Sequence, residues 1–231
     1  MAGQVPNVCA GPFGAFYDFY IERPRLMQAV GRTIWGIDAS VLYASMKPIE
    51  AAESGAVIAD VPCGGGVALR ALSPDQQVRY VAADLCPKML RRAQRRAERR
   101  SLRQVEILKA DMVDLPFADE AIDLFLSFSG LHMIPDPERA VGEIARCLKP
   151  GGRLIGTTFL SDGSRRARAI FKAGSFRGHA LPPKRASLLR WLEAAGLKEP
   201  AIGPQQGFTS FEARSPSTRS SSRAFARTPR L

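Results

Sequence analysis

The sequence lacks the features that mark secreted, membrane-spanning and metal-binding chains. No apolar run approaches the roughly 20 residues that a transmembrane helix requires. The first twenty residues contain no Lys or Arg and no continuous apolar segment, which argues against a secretory signal. The four cysteines, at positions 9, 63, 86 and 147, form no C-x-x-C pair and have no close histidine. We therefore expect a soluble cytoplasmic protein with no membrane span, disulfide framework or metal site.

Acidic residues are scarce in two segments, and these segments account for the net charge of +11. Residues 88–103 hold eight basic residues and one acid, Glu98, while residues 214–231 hold five arginines and no acid. The rest of the chain is close to neutral. A positive charge confined to one helix and a tail is not typical of a nucleic-acid-binding body. We interpret residues 88–103 as a solvated helix face and keep nucleic acid as the alternative partner.

Apolar patterning divides the chain into three parts. Residues 1–54 have a helical pattern and form a predicted N-terminal cap. In residues 55–213, strand-like runs alternate with helical patterns, which is typical of βαβ units in a doubly wound α/β sheet. The predicted strands are Ala56–Val61, Val78–Asp84, Val105–Ala110, Ile122–Phe128, Arg153–Phe159, Lys198–Ile202 and Gly207–Ala213. A helix is predicted at Ser187–Ala195 and a loop with at most one short helix at Ser161–Arg185. Residues 214–231, rich in Ser and Arg, cannot bury a core, and we expect a disordered tail.

A glycine-rich turn follows the first strand, in the segment Asp60–Gly66. Glycines there allow the backbone to pass close to a ligand and to turn sharply into a helix. The same segment could also be a tight turn without a ligand. Gly64 and Gly66 fit a dinucleotide-binding turn, but the third glycine of that pattern is replaced by Leu69. Asp84, at the end of the second strand, suits the ribose of either a nicotinamide cofactor or S-adenosylmethionine.

Five segments in order resemble the motifs of Rossmann-fold S-adenosylmethionine-dependent methyltransferases. They are Asp60–Gly66, Asp84–Leu90, Ala110–Phe117, Ile122–His132 and Leu148–Gly152. The resemblance is greatest to the small-molecule methyltransferases related to ubiquinone and menaquinone biosynthesis. It implies a seven-stranded sheet of order 3-2-1-4-5-7-6, with the last strand antiparallel, and a helical N-terminal cap. Pro62 departs from the family pattern, which has a glycine there, so the entry to the turn should be stiffer.

The resemblance also implies which residues would surround S-adenosylmethionine. All of them follow or end the first four strands. They are Asp60, Cys63, Gly64 and Gly66 at the methionine and ribose; Asp84 at the ribose hydroxyls; Leu85, Met89, Asp111 and Met112 at the adenine; and Ser127 and Phe128 at the methionine amino group and transfer site.

The acceptor side is less defined by the sequence. The sulfonium already activates the methyl group, so a base is needed only when the acceptor loses a proton. His132 follows the fourth strand and is the candidate base, because an ordinary histidine pKa is near neutral; a packing role is the alternative. We expect a small or lipid-like acceptor between the cap and the loop after strand five, in contact with Tyr17, Tyr20, Phe171 and Phe176. Two alternatives stay open: nucleic-acid methylation, and cofactor binding without catalysis. Against the first, Ser127–Gly130 lacks the Asn/Asp-Pro-Pro-aromatic sequence with which base-amino methyltransferases hold a flipped base.

Overall fold

The protein is built around one seven-stranded sheet, as seen in a computed structural model that describes residues 21, 23–175, 182–204 and 207–218. The strands are β1 Val57–Asp60, β2 Arg79–Asp84, β3 Val105–Lys109, β4 Ile122–Phe128, β5 Leu148–Phe159, β6 Lys198–Ile202 and β7 Phe208–Arg214. Their spatial order is 3-2-1-4-5-7-6. The first five run parallel, and β7 is antiparallel to both of its neighbours, β5 and β6. The predicted order and the antiparallel last strand are confirmed.

Helices connect the strands and cover both faces of the sheet. They are α1 Pro24–Val30, continued by a π-helical turn at Gly31–Trp35; α2 Ser40–Ala44; α3 Lys47–Glu50; α4 Pro87–Arg99; α5 Pro137–Cys147; α6 Arg165–Ser175; and α7 Arg185–Ala194. Short 3-10 turns lie at Val67–Ala71 and Leu131–Met133. Helix α5 begins with Asp136 as its N-cap, whose side chain accepts the Arg139 backbone N–H at 3.0 Å.

Helix α4 follows the amphipathic pattern of its sequence. Its buried residues are Met89, Leu90, Ala93 and Ala97, which lie on one face at helical spacing. The arginines between them therefore point away from the sheet, and Arg91, Arg95 and Arg99 are exposed. The basic segment noted in the sequence is thus the outer face of a helix that packs on the core.

Two hydrophobic layers lie on the two faces of the sheet. One contains Ile58 and Leu126 of the sheet together with Leu42, Met46 and Ile49 of the cap region. The other packs α5 and α7 against β4, β5 and β7. Residues 37–49 therefore share a core with β1, although the first twenty residues of the predicted cap lie outside the described residues.

The structure corrects several predicted boundaries. Strand β5 begins at Leu148, because Leu148 already pairs with Ile122 before the Pro-Gly-Gly turn. The glycine-rich turn opens into a five-residue 3-10 turn, Val67–Ala71. Much of the predicted loop after β5 is helix α6, Arg165–Ser175.

The start of the predicted tail is corrected as well. Arg214 ends β7, and the next two residues stay attached to the sheet: Ser215 N–H donates to the Gly152 carbonyl at 2.8 Å, and Gly151 N–H donates to that of Pro216 at 3.2 Å. Residues 219–231 lie outside the described part of the chain. Within the described residues, no helix is both long and apolar enough to cross a membrane, and no cluster of three His, Cys, Asp or Glu residues could hold a metal.

Candidate functional site

The glycine-rich turn lies at the carboxyl edge of the sheet, between the ends of β1, β2 and β4. Asp60 is aligned with Ala82 of β2 and Leu126 of β4, so the chain leaving β1 is flanked by both neighbouring strands. Cys63 N–H donates to the Ala83 carbonyl at 2.8 Å, which ties the turn to the end of β2. Ligands of open α/β sheets bind at this edge, where the strand order reverses. Here the reversal lies between β1 and β4.

Gly64 and Asp84 are joined directly at this edge. The Gly64 N–H donates to Asp84 Oδ2 at 2.9 Å, and the Cys86 N–H donates to Asp84 Oδ1 at 2.8 Å. Asp84 is buried, and its burial raises the pKa of the carboxyl, whereas the N–H donors of Cys86, Gly64 and Leu85 lower it. The two oxygens have about four lone pairs between them, so three N–H donors leave room for a further donor. Gly64 has φ +52° and open space where a side chain would project.

Gly66, the other glycine of the predicted cofactor turn, has a packing role. It has φ +77°, and a Cβ there would lie 2.8 Å from Leu69 Cδ1 and 3.1 Å from the Cα of Ala93 in α4. The absence of a side chain therefore lets α4 approach the turn. This contact is a structural reason for glycine that does not require a ligand.

Asp60 is held within the protein by a residue that the sequence analysis missed. Tyr80, the second residue of β2, donates its hydroxyl to Asp60 Oδ2 at 2.9 Å, and both side chains are buried. Burial raises the pKa of Asp60 to about 7, the Tyr80 hydroxyl opposes this rise, and the nearby Asp84 adds to it. A tyrosine directly before the apolar run Val81-Ala82-Ala83 was the available signal. The predicted contact of Asp60 with the methionine end stays a prediction.

The predicted adenine residues surround the start of α4 and the end of β3. Met89 and Met112 are buried, whereas Leu85 and Asp111 are partly exposed. Asp111 Oδ1 accepts the Val113 N–H at 3.2 Å, which makes a compact turn after β3. These residues lie beside the ends of β2 and β3, as the motifs require.

Ser127 and Phe128 end β4 and are both buried. The hydroxyl of Ser127 is buried without a hydrogen-bond partner among the described residues. Gly130 brings this segment against the glycine-rich turn, because a Cβ at Gly130 would collide with the Pro62 ring and lie 3.1 Å from Ser127 Oγ. Pro62, where the family pattern has glycine, is accommodated because Gly130 opposite it has no side chain. Cys63, beside Pro62, is buried, and burial raises the pKa of its thiol.

His132 lies in a cluster of aromatic side chains beyond β4. Its ring contacts Phe159 edge-on at 5.1 Å and Phe171 at 5.9 Å between ring centres. Thr158 Oγ1 lies 3.4 Å from His132 Nδ1. Burial lowers the pKa of His132 to about 4. We selected His132 as a base because an ordinary histidine pKa is near neutral, and that expectation is corrected. The surrounding rings remove the imidazole from water. The catalytic role of His132 stays a prediction.

The aromatic cluster also contains residues that the sequence analysis did not select. Trp35 lies 5.5 Å from Phe159 and 5.7 Å from Phe171, and Phe159 lies 4.9 Å from Phe208, again between ring centres. Of the four predicted acceptor residues, Phe171 is the one among the described residues, and it falls in this cluster. Tyr17, Tyr20 and Phe176 lie outside the described residues. We refer to Trp35, His132, Phe159, Phe171 and Phe208 as the aromatic cluster.

Comparison with known proteins shows which family this chain resembles. Residues 59–156 match a family model described as a methyltransferase domain. A demethylmenaquinone methyltransferase of Thermus thermophilus is 42% identical over 101 residues, which cover 42% of this chain and 44% of the relative. The chain spans less than half of the length of the curated relatives it matches.

Solved structures agree in fold at lower identity. A Haemonchus contortus phosphoethanolamine N-methyltransferase 2 in complex with S-adenosyl-L-methionine has a TM-score of 0.72 at 14% identity, over 93% of this chain and 61% of that one. The [4+2]-cyclase SpnF has a TM-score of 0.64 at 19% identity, over 89% and 96%. At such identities the likeness shows the fold alone. The family match over residues 59–156 and the strand order 3-2-1-4-5-7-6 together support a Rossmann-like, S-adenosylmethionine-dependent methyltransferase domain in this part of the chain.

Proposed function

We propose that the protein transfers the methyl group of S-adenosylmethionine to a small apolar acceptor of the quinone type. The observation that carries the proposal is the pairing of Gly64 and Asp84 at the carboxyl edge. It sets a buried carboxylate beside a glycine whose side-chain direction is open. Such a carboxylate suits a ribose diol, and such a glycine suits a close backbone approach by a ligand.

The donor and acceptor groups at this edge fit the cofactor. Asp84 would accept from the ribose at the lone-pair position that its three N–H donors leave free. Leu85, Met89 and Met112 would supply apolar surface for the adenine. The unpartnered hydroxyl of Ser127 is a polar group that a ligand ammonium could satisfy, since buried polar groups are normally hydrogen-bonded. When bound, the cofactor would supply an electrophilic methyl group on a sulfonium.

The aromatic cluster supports an apolar acceptor. Trp35, Phe159 and Phe171 are only partly buried, so they present ring surface beyond the end of β5 while packing on one another. Ligand pockets are mostly apolar with few polar anchors, and His132 and Thr158 are the polar groups beside these rings. The Thermus relative's name specifies demethylmenaquinone, which favours a quinone-type ring for this chain as well.

Positioning, and not strong base catalysis, is the contribution expected of the acceptor side. A histidine with a pKa of about 4 is neutral at neutral pH and a weak base there. Its neutral ring can still accept a hydrogen bond from a hydroxyl group of the methyl acceptor, or donate one to an oxygen of that molecule. Holding the nucleophile in line with the methyl group can supply most of the acceleration.

Formation of S-adenosylhomocysteine tests the proposal. The full chain would be mixed with S-adenosylmethionine and either a reduced naphthoquinone lacking its ring methyl group, bulk tRNA, or no acceptor. We expect acceptor-dependent turnover with the naphthoquinol, reduced at least tenfold by Phe171→Ala. Turnover with tRNA alone would favour the nucleic-acid alternative. Cofactor binding without turnover on either acceptor would contradict the proposed acceptor class and favour a non-catalytic or different reaction.

A further inference from the structure

A surface rich in basic residues covers the outside of the aromatic cluster, and Asp38 is an acidic neighbour of its Arg32. The surface consists of the segment Gly31–Gly36 and helix α6, Arg165–Ser175, and we call it the α6 surface. These two segments hold five basic residues and no acid: Arg32, Arg165, Arg166, Arg168 and Lys172. All five are exposed. The surface is separate from the basic face of α4, which belongs to another helix, beside β2 and β3.

The two segments form one continuous surface. Arg166 Nη1 donates to the Thr33 carbonyl at 3.5 Å, and Ser164 Oγ donates to the Trp35 carbonyl at 3.4 Å. A Cβ at Gly36 would lie 3.3 Å from Arg166 Cδ, so the loop is in contact with the side chain of α6. The cations on α6 and the one on the Gly31–Gly36 segment are therefore held on the same side of the molecule.

An exposed apolar side chain lies within this surface. Ile34 has 53% of its surface exposed and is the one large hydrophobic residue in that state among the described residues. Its neighbours Arg32 and Thr33 are exposed as well, whereas the next residue, Trp35, turns inward to Phe159 and Phe171. An exposed apolar side chain on a segment that also carries Arg32 and contacts Arg166 is a composition suited to the headgroup region of a membrane.

We propose that the α6 surface docks on an anionic phospholipid bilayer. Clustered arginines and lysines are attracted to the negative potential of such a surface, and Ile34 would enter the boundary between headgroups and acyl chains. Single-stranded nucleic acid is the less suited partner, because its bases stack on exposed aromatic side chains, whereas the large apolar residue exposed on this surface is the aliphatic Ile34. Docking on this side places the aromatic cluster next to the membrane, where an apolar acceptor would be dissolved.

Vesicle sedimentation of the full chain tests the docking surface without any methyl transfer, so its outcome is independent of the proposed function. The probes are phosphatidylcholine vesicles with and without phosphatidylglycerol. The test variant is Arg32→Glu with Arg165→Glu; Arg166 and Arg168, which donate to the Thr33 and Ser161 carbonyls, are left unchanged. The matched control is Arg95→Glu with Arg99→Glu, which makes the same charge change on the exposed face of α4.

We expect binding that requires phosphatidylglycerol, that falls by at least about tenfold in the α6 variant, and that is little changed in the α4 control. Ile34→Ser should weaken binding severalfold with no change in charge. Equal losses in both charge variants, loss in the α4 control alone, or no vesicle binding by the wild type would overturn the proposal. So would binding of a short RNA that depends on the α6 residues when vesicle binding does not.

Discussion

The backbone N–H of Gly64 donates a hydrogen bond of 2.9 Å to the carboxylate of Asp84, which joins the glycine-rich turn after β1 to the end of β2. The same carboxylate accepts from Cys86 at the start of α4. One side chain thus fixes two loops of the candidate cofactor site. Any change at Asp84 should therefore act on ligand binding and, more weakly, on the shape of the turn.

Asp84→Asn should weaken binding of S-adenosylhomocysteine by about tenfold to a hundredfold. The amide removes the negative charge and one of the two acceptor oxygens, and charge-assisted hydrogen bonds contribute roughly 1.5 to 3 kcal/mol each. Calorimetric titration gives the dissociation constants. Asp75→Asn, at an exposed position of the turn before β2, is the control and should bind as the wild type does. Unchanged affinity in Asp84→Asn would remove this residue from the site.

Gly66→Ala should lower the free energy of unfolding by about 2 to 4 kcal/mol. The substitution combines a positive φ, which costs an L-residue about 1 to 2 kcal/mol, with a Cβ that would press on Leu69 and on Ala93 of α4. Urea denaturation measures the loss. Gly55→Ala has the matched strain, with φ +85° and no atom within 4 Å of the added Cβ, so it should lose only about 1 to 2 kcal/mol. Equal losses in the two variants would show that packing at α4 contributes nothing.

We expect the free energy of unfolding of the wild type to decrease as the pH rises from about 4 to 7. In Asp60→Asn this decrease should be smaller. The folded state holds the Asp60 proton up to a pKa of about 7, whereas the unfolded chain releases it near 3.8. The folded protein therefore binds more protons in this window, and its stability decreases with pH by up to roughly 4 kcal/mol at this group. Urea denaturation across the window, on Asp60→Asn and the Asp75→Asn control, measures the difference. If Asp60→Asn keeps the wild-type slope, Asp60 is not protonated in the fold.

His132→Gln should act in the opposite direction at acidic pH. The folded-state pKa of His132 is about 4, below its ordinary value of 6.5, so the unfolded chain binds the proton first as the pH falls. The stability that the neutral ring contributes is complete above about pH 6.5 and is lost progressively toward pH 4, by up to roughly 3 kcal/mol. The variant has no such proton to bind and should lose less stability on acidification. Denaturation midpoints at about pH 5 and pH 7.5 make the comparison. A variant as acid-sensitive as the wild type would place the imidazole in solvent.

The strands were predictable because the residue pattern of each one lies within a short segment of the sequence. A run such as Ile122–Phe128 carries its own apolar pattern, and the resemblance of the motifs at Asp60 and Asp84 to the family implies the order of the strands. The Tyr80–Asp60 bond and the low pKa of His132 were not predictable in the same way. Both arise when side chains from separate strands and helices meet in a dry interior, and no short segment of sequence records that contact.

The same distinction applies to glycines and boundaries. Gly64 and Gly66 look alike in the motif, but one has open space beside it and the other accommodates Ala93 of α4. The edge of the fold beyond Arg214 depends on two hydrogen bonds, from Ser215 to Gly152 and from Gly151 to Pro216, which connect residues far apart along the chain. Composition alone placed these residues in the tail.

Calorimetric titration of the full chain with S-adenosylmethionine, S-adenosylhomocysteine and NAD tests the central claim most directly. The carboxyl-edge arrangement of Gly64, Asp84 and Ser127 predicts saturable one-to-one binding of both adenosyl compounds and no heat of binding with NAD. Binding of NAD with no response to either adenosyl compound would contradict the assignment, and would make the glycine-rich turn after β1 a dinucleotide site.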